Sequence, residues 1–248
     1  MHRAFFRFYE ELNDFLPPQR RKVRFTHLYT GRTSVKDMIE SLGVPHSEID
    51  LILVNGRPVD FTYIVHDDDD ISVYPVFESF DIGEVTRLRP KPLREPRFIA
   101  DVHLGKLARY LRMMGLDTLY ENNFTKEGLV RISLDEKRVI LTKDRNLLKR
   151  NDITHAYWIR SEEPTEQASE VIERFHLHNE VKEFSRCMEC NTLLEKVDKD
   201  SVSAKLPPKV EAYHTDFYQC PNCGRIYWKG THYERMKDLI TKINRCRT

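Results

Sequence analysis

The chain has 248 residues, and its 40 lysines and arginines against 39 aspartates and glutamates give a formal net charge of +1. This length suits one large domain or two to three small ones, and the 13 Phe, 11 Tyr and 2 Trp residues exclude wholesale disorder. Apolar runs fall far short of the ~18 residues of a membrane span, and the charged N-terminus is unlike a signal peptide. We therefore expect an intracellular, cytoplasmic protein without membrane contacts.

The near-zero net charge is the sum of three unlike segments. Residues 1–86 carry −6, residues 87–186 carry +4 and residues 187–248 carry +3. The sign changes at 87–96, where prolines alternate with basic residues. Proline favours extended backbone and charge keeps it solvated, so this stretch is predicted to be an interdomain linker, with a surface loop as the alternative. Contact with a nucleic acid is expected only after this stretch, and the acidic segment is a candidate to mask the basic surface that follows it.

The first segment, residues 1–86, predicts a small domain of strands around one helix. Ser34 suits the cap of a helix that Gly43 ends, and Asn55–Gly56 is a strong hairpin turn. The predicted strands are Ala4–Tyr9, Val23–Tyr29, Leu51–Val54 and Ile71–Tyr74, and the predicted helix runs from Ser34 to Leu42. Two strands, a helix and further strands follow one another in a β-grasp (α+β) order.

This segment resembles the ubiquitin-like proteins, and among them the ThiS/MoaD-like sulfur carriers, in Leu53–Gly56 and the acidic turn Asp67–Asp70. Members of that branch end in a Gly-Gly tail that is adenylated and thiocarboxylated. The corresponding place here, Val76–Phe80, has no glycine pair and the chain continues. The resemblance therefore implies a ubiquitin-like domain without carrier chemistry, which binds a protein partner, regulates the rest of the chain, or serves the fold alone.

The second segment alternates strands and helices, which predicts βαβ units and a mainly parallel sheet. The predicted strands are Arg97–Ala100, Leu116–Tyr120, Val139–Thr142 and Thr154–Ile159, and the predicted helices begin near Leu104, Thr125 and Pro164. Lys106, Arg109 and Arg112 share one face of the first helix, opposite its apolar stripe.

Three carboxylates, Asp101, Glu121 and Asp144, follow the ends of predicted parallel strands. Parallel strands present their carboxyl ends at one edge of a sheet, so these acids are expected to gather there. Carboxylates repel one another unless a cation neutralises them, and their oxygens suit Mg²⁺ or Mn²⁺. The predicted phosphate ligands nearby are Lys106, Arg109, Lys143 and Arg145. Each acid alone is also compatible with a turn or cap role.

Four stretches of this segment resemble the mut-seven C-terminal RNase family, a PIN-like group of predicted metal-dependent ribonucleases. They are Phe98–Asp101, Leu104–Arg112, Gly115–Asp117 and Arg138–Arg145, and the resemblance extends from residue 97 to the cysteine-rich end. It implies an endoribonuclease whose catalytic acids are Asp101 and Asp144. Many members carry acids around the start of the second helix. Here only Glu121 and Glu127 are charged at that place, so one of them is expected to supply the third ligand.

The last segment contains two C-x₂-C pairs, Cys187 with Cys190 and Cys220 with Cys223. Four thiolates of this spacing form a closed tetrahedral Zn²⁺ site, and zinc then stabilises a segment too small to fold alone. Two disulfides are the rival, but they require an oxidising compartment. The neighbouring aromatics, Tyr218, Tyr227 and Trp228, suit either base stacking or packing around the zinc.

These observations predict a three-part α/β protein that hydrolyses RNA phosphodiester bonds with Mg²⁺ or Mn²⁺. Its predicted parts are a ubiquitin-like domain (1–86), a linker (87–96), a PIN-like nuclease domain (97–183) and a Cys₄ zinc ribbon with a C-terminal helix (184–248). The alternative is a non-catalytic adaptor that binds RNA or the ribosome through the same basic surfaces. A third hypothesis, a docking module of a sulfur-transfer system, rests on the β-grasp resemblance alone.

Overall fold

The computed structural model describes residues 1–75 and 96–244, which form two compact units. The first unit combines the described part of Met1–Glu95 with Asp144–Trp158, and the second combines Pro96–Lys143 with the described part of Ile159–Thr248. Val76–Phe80 and, except for Pro96, the predicted linker lie outside the described residues. The domain boundaries therefore stay a prediction. Across the described ranges, no helix is long and apolar enough to cross a membrane.

The first unit contains the predicted β-grasp sheet. Its strands are His2–Phe8, Phe25–Tyr29, Ile49–Val54, Arg57–Val59 and Asp70–Pro75, joined by the helix Val35–Ser41 and the 3₁₀ turns Glu10–Phe15, Pro18–Arg20 and His46–Glu48. The first strand pairs in parallel with the last, and the other pairs are antiparallel. Phe6, Ile39 and Ile52 are fully buried, so the sheet and the helix share one core.

Local signals place these elements as the sequence predicts. The Ser34 hydroxyl accepts a hydrogen bond from the Asp37 amide at 3.1 Å, which caps the helix. Asn55 and Gly56 have φ angles of 50° and 77°, the left-handed values that a tight hairpin turn requires. The strand order and its helix confirm the predicted fold class of this part of the chain.

The first unit also includes the Asp144–Trp158 segment, which consists of the short helix Arg145–Leu148 and the strand Ala156–Trp158. Three consecutive side chains of the turn His46–Glu48 hold it. The bonds run from Ser47 Oγ to Leu148 O (3.1 Å), between His46 Nε2 and Ile153 O (3.1 Å), and from Trp158 N to Glu48 Oε1 (2.7 Å). The β-grasp sheet and this distant segment therefore form one compact body.

The second unit has a parallel sheet, as predicted, with Phe98–Ala100 between Thr118–Leu119 and Val139–Thr142. The helices are Gly105–Met113, Lys126–Glu136, Pro164–Arg174 and Thr231–Asn244, with a 3₁₀ turn at Leu177–Asn179. Gly115 ends the first helix at φ 85°, and a Cβ there would lie only 2.3 Å from the Lys182 carbonyl oxygen. Only glycine fits both the conformation and the space.

The cysteine-rich part folds as a three-stranded antiparallel ribbon in the second unit. Its strands are Glu195–Val197, Phe217–Gln219 and Ile226–Trp228, and its short helices are Lys199–Val202, Pro208–Tyr213 and the 3₁₀ turn Ser203–Lys205. Its local core consists of Val202, Leu206 and Phe217, with partly buried neighbours. A core of this size gives little stability by itself, which is typical of a segment held by a metal.

Candidate functional site

Asp101 directly follows the central strand of the parallel sheet, and its side chain is only 7% exposed. Its Oδ2 accepts hydrogen bonds from the Thr142 hydroxyl (2.5 Å) and the Lys143 amide (3.0 Å), and its Oδ1 accepts one from the His103 amide (2.8 Å). A carboxylate offers about four acceptor positions, so Asp101 retains roughly one for a further ligand. The side chain thus fixes the strand ends and is still able to contribute one metal bond.

Asp144 lies in the first unit, where it caps the helix Arg145–Leu148 by accepting a hydrogen bond from the Asn146 amide at 2.8 Å. The next residue, Arg145, places its guanidinium carbon 3.7 Å from the Trp158 ring centroid and 5.3 Å from that of Phe15. This is cation–π packing between two aromatic rings. Arg145 therefore has a packing role in the first unit, which the sequence prediction of a phosphate ligand did not anticipate.

The remaining predicted acids are both exposed. Glu121 follows the strand Thr118–Leu119, and Glu127 lies in the first turn of the helix Lys126–Glu136. We searched residues 1–75 and 96–244 for three or more possible metal ligands whose ligand atoms all lie within 4.8 Å of one another. The group found consists of the four cysteines. A preformed centre of three carboxylates is thus absent from the described residues. The role of either glutamate stays a prediction.

Glu121 lines an open cleft of about 710 Å³ in the second unit. One side is the helix Gly105–Met113, which we call the cleft helix, and the other includes the first zinc knuckle, Cys187–Asn191. The lining residues are Gly105, Lys106, Arg109, Arg112, Tyr120, Glu121, Asn122, Asn123, Met188 and Glu189. The structure therefore brings together three predicted site residues, Lys106, Arg109 and Glu121.

The cleft combines exposed cations with amide and aromatic groups. Lys106 and Arg109 are exposed on the cleft helix, Asn122 and Asn123 are exposed in the loop after Glu121, and Tyr120 is half-buried. Cations bind phosphates, and amides and rings contact bases. The sequence pattern identified the two cations, but not the amides or the tyrosine. These residues could have been identified from their position beside Glu121, directly after the end of a predicted strand.

The other predicted base, Lys143, is half-buried and pairs with the exposed Glu162, at 2.7 Å between Nζ and Oε1. Its amide is also one of the three donors to Asp101. Because Glu162 is exposed, this ion pair contributes little free energy. Whether Lys143 binds a phosphate stays a prediction.

The four cysteines lie together, as the predicted metal centre requires, and they could hold one metal ion. The Sγ atoms of Cys190 and Cys220 are 3.3 Å apart, and those of Cys187 and Cys223 are 3.6 Å apart. Tetrahedral ligands at Zn–S distances of about 2.3 Å are separated by roughly 3.8 Å, so a small outward shift of the sulfurs admits the ion. Backbone turns fix both pairs: Asn191 N donates to Cys187 O and Gly224 N to Cys220 O, each at 2.9 Å.

The acidity of the thiols fits a cation site. Burial raises the pKa of Cys190, but hydrogen bonds with Thr192 and other neighbours outweigh it and lower the pKa to about 6. The Arg225 amide lowers the pKa of Cys223, whereas burial and the three neighbouring thiols raise it, to about 12. Cys190 and Cys223 thus differ in acidity because their hydrogen bonds and burial differ. Four thiol sulfurs within 4.8 Å of one another suit Zn²⁺, so the residues fit the metal.

Tyr227 packs against this centre. Its hydroxyl lies 3.1 Å from Cys187 Sγ and accepts a hydrogen bond from the Met188 amide at 3.2 Å. Of the two roles that the sequence allowed for this aromatic, the structure shows the packing role.

Arg112 connects the first zinc knuckle to the sheet. It is 4% exposed, although the helical spacing places it on the face opposite the apolar stripe, and burial lowers its pKa. Its guanidinium donates to four carbonyl oxygens, those of Thr118 (2.8 Å), Glu189 (2.6 Å), Met188 (3.3 Å) and Tyr120 (3.3 Å). Five donors in a rigid fork suit this task, which no lysine can perform equally well.

Replacing Arg112 with methionine is expected to lower the free energy of unfolding by about 2–4 kcal/mol. Methionine retains much of the apolar stem, but it leaves several buried carbonyl groups without a donor, at roughly 1–3 kcal/mol for each group that water does not reach. Chemical denaturation measures the difference. The exposed Arg131→Met is the control and should change stability by less than about 0.5 kcal/mol. Equal stability of the two variants would contradict a structural role for Arg112.

Asp117 provides a second connection between the knuckle and the sheet. Burial alone would raise the pKa of Asp117, but hydrogen bonds from Arg138 (2.6 Å) and Asn191 (2.8 Å) hold it below its usual value. Asn191 also accepts from the Thr118 amide at 3.0 Å. The knuckle is therefore part of the second unit and not a separate module.

Comparison with known families gives two matches. The family model described as Mut7-C RNAse domain matches residues 96–240, and the model described as Mut7-C ubiquitin matches residues 1–81. No curated protein and no solved structure matches the chain significantly. The two matches confirm the resemblances drawn from the sequence and the order of the two parts.

Proposed function

The chain belongs to the Mut7-C RNase domain family, whose model covers more than half of it, and from this premise we propose that it is a metal-dependent ribonuclease. The observation that carries the proposal is the cleft in the second unit, where two exposed cations and Glu121 lie together. Single-stranded RNA is the substrate that fits best, because an open cleft with amide and aromatic groups admits unpaired bases.

Asp101 is the residue best placed to hold a divalent cation. Three donors keep its carboxylate fixed, and about one acceptor position remains. Mg²⁺ commonly binds one or two carboxylates, several waters and substrate phosphates, so it needs no preformed cage. The residues thus fit a cation that arrives together with the RNA. Asp144, Glu121 and Glu127 stay candidates for further ligands.

Mg²⁺ or Mn²⁺, when bound at Asp101, would supply Lewis-acid chemistry: it would polarise the scissile phosphate and make a water molecule more acidic. Lys106 and Arg109 bind the RNA phosphates and orient the backbone along the cleft helix. Asp101 would hold the cation at the end of the strand, and Lys143 is available once a phosphate replaces Glu162. Water attacks phosphorus and loses a proton to solvent, while the bond from phosphorus to the ribose oxygen breaks and that oxygen takes up a proton from solvent.

Asp101→Asn is expected to reduce Mn²⁺-dependent cleavage of a labelled, unstructured RNA by about 100-fold or more, since it removes the charge that would hold the metal. Asp144→Asn tests the second predicted catalytic acid in the same assay. Initial rates of product formation on denaturing gels measure the effect. Asp135→Asn, at an exposed helix position, is the control and should retain activity within about twofold.

Asp101→Asn also replaces one carboxylate oxygen, which accepts hydrogen bonds, with an amide group that donates them, so it disturbs the three hydrogen bonds at this position. Thermal unfolding of each variant is therefore measured together with the cleavage rates. If the wild type cleaves no better than the Asp101→Asn/Asp144→Asn double variant, hydrolysis is excluded. Salt-sensitive RNA binding that survives the double substitution, with no cleavage, would instead support the adaptor function.

A further inference from the structure

Two arginines from separate elements converge on one carboxylate beside the cleft. Glu189 Oε1, on the first zinc knuckle, lies 2.8 Å from Arg225 NH1 and 3.6 Å from Arg109 NH2. Arg109 belongs to the cleft helix, and Arg225 follows the second cysteine pair. All three side chains are about half exposed, at 55% for Arg109, 53% for Arg225 and 40% for Glu189. The cluster is thus open to solvent and to a ligand.

This arrangement is an anion site with an internal occupant. Two guanidinium groups that share one oxygen repel each other, and an anion between them offsets the repulsion. A phosphate carries more oxygen acceptors than one carboxylate oxygen and pairs with arginine through bidentate bonds. Because the pairs with Glu189 are exposed, they contribute little free energy and are readily exchanged.

We propose that Arg109 and Arg225 form a binding site for an RNA phosphate, and that the Glu189 carboxylate occupies this site until RNA displaces it. The site lies at the edge of the cleft, since both Arg109 and Glu189 line it. Glu189 therefore weakens RNA binding at this position and excludes less strongly bound anions. The inference rests on the proposed function for the identity of the ligand, RNA, although not on catalysis.

Zinc is part of the same site. Glu189 lies between the ligands Cys187 and Cys190, and the Arg225 carbonyl accepts from the Cys220 amide at 2.9 Å. The turns around the metal thus set the distance between Glu189 and Arg225. Arg112 holds the carbonyl of Glu189 against the sheet and serves as a positioning residue. The ribbon contributes an RNA contact, in addition to its structural role.

The test measures binding of a fluorescein-labelled, 12-nucleotide single-stranded RNA to the full zinc-loaded chain by anisotropy, without Mg²⁺ or Mn²⁺. Glu189→Gln removes the competing charge and is expected to lower the Kd for RNA by about 3- to 10-fold. The slope of log Kd against the logarithm of the salt concentration should become steeper by roughly 0.7. Glu195→Gln, an exposed glutamate on a ribbon strand outside the cleft lining, is the matched control and should stay within about twofold.

Arg225→Gln separates this site from a general charge effect. In that background the Glu189→Gln change should lose most of its gain, because one of the two guanidinium groups is missing. Zinc content by native mass spectrometry verifies that each variant retains the metal. Equal affinities of Glu189→Gln and Glu195→Gln, or an unchanged gain in the Arg225→Gln background, would overturn the proposal. Since no cleavage is measured, the failure of hydrolysis leaves this result interpretable.

Discussion

Cys190→Ser is expected to abolish zinc binding and to destabilise the ribbon strongly. Structural Zn²⁺ sites contribute apparent free energies of about 10–16 kcal/mol in small zinc-binding peptides. The local core of the ribbon has three buried apolar side chains and a few partly buried ones, so its apolar packing alone contributes little stability. Native mass spectrometry should show one zinc per wild-type chain and none per variant, and thermal unfolding should begin at a lower temperature.

The loss is expected to spread beyond the ribbon. Asn191 and the carbonyl groups of Met188 and Glu189 connect the first knuckle to the sheet through Asp117 and Arg112. Without the metal, these bonds lose their fixed partner, so amide exchange should accelerate near Thr118 as well as in the ribbon. Cys246→Ser is the control, at a position outside the described residues, and should keep its zinc. A Cys190→Ser chain with native zinc content and melting temperature would exclude the Cys₄ site.

The elements that the sequence predicted correctly depend on local chemistry. Ser34 and Thr125 each cap a helix by accepting an amide hydrogen bond, from Asp37 and Gly128, as residues of this type do before an apolar periodic run. The cysteine spacing indicates a chelating turn by itself. Such signals involve residues within a few positions of each other, so no knowledge of the tertiary structure was needed.

Local spacing did not distinguish the exposed basic side chains from the buried ones. Arg109 and Arg112 are three residues apart on one helix, yet Arg109 is 55% exposed and Arg112 is 4% exposed. The difference comes from the knuckle carbonyls, more than 70 residues further along the chain. The packing of Arg145 also depends on a long-range contact, because its ring partner Phe15 is 130 residues away in the sequence. Helical periodicity identifies a face, but long-range contacts decide which of its cations remain available to RNA.

The acidic residues pose the same problem at the proposed active site. Their order after strand ends predicted a gathering of carboxylates, and the structure confirms the parallel strands that precede Asp101 and Glu121. Yet Asp101 is engaged by three donors, and Asp144 caps a helix in the first unit. A cap role and a metal role require the same residue type at the same place. Only measured activity distinguishes them.

Deleting residues 1–86 is expected to destabilise the rest of the chain and to lower RNA cleavage, not to raise it. The alternative from charge alone was that this acidic segment masks a basic surface, which predicts faster RNA binding after deletion. In the first unit, however, the turn His46–Glu48 binds the backbone of Leu148, Ile153 and Trp158. These three bonds contribute about 1 kcal/mol each, and the tilted ring contact between Phe15 and Trp158 adds roughly 0.5–1.5 kcal/mol.

The deletion therefore removes about 3–5 kcal/mol of contacts from the segment that follows Asp144. The emission of Trp158 should shift to longer wavelength, and the segment should become sensitive to protease. Glu48→Ala in the full chain tests the same contact without a truncation. It removes the acceptor of the Trp158 amide and should cost about 1–3 kcal/mol, whereas the exposed Arg57→Ala on the same sheet should cost less than about 0.5 kcal/mol. If the shortened chain instead binds and cleaves RNA faster, at unchanged stability, the ubiquitin-like part masks the basic surface. The hydrogen bonds that His46, Ser47 and Glu48 make favour the other role, in which this part supports the segment that carries Asp144.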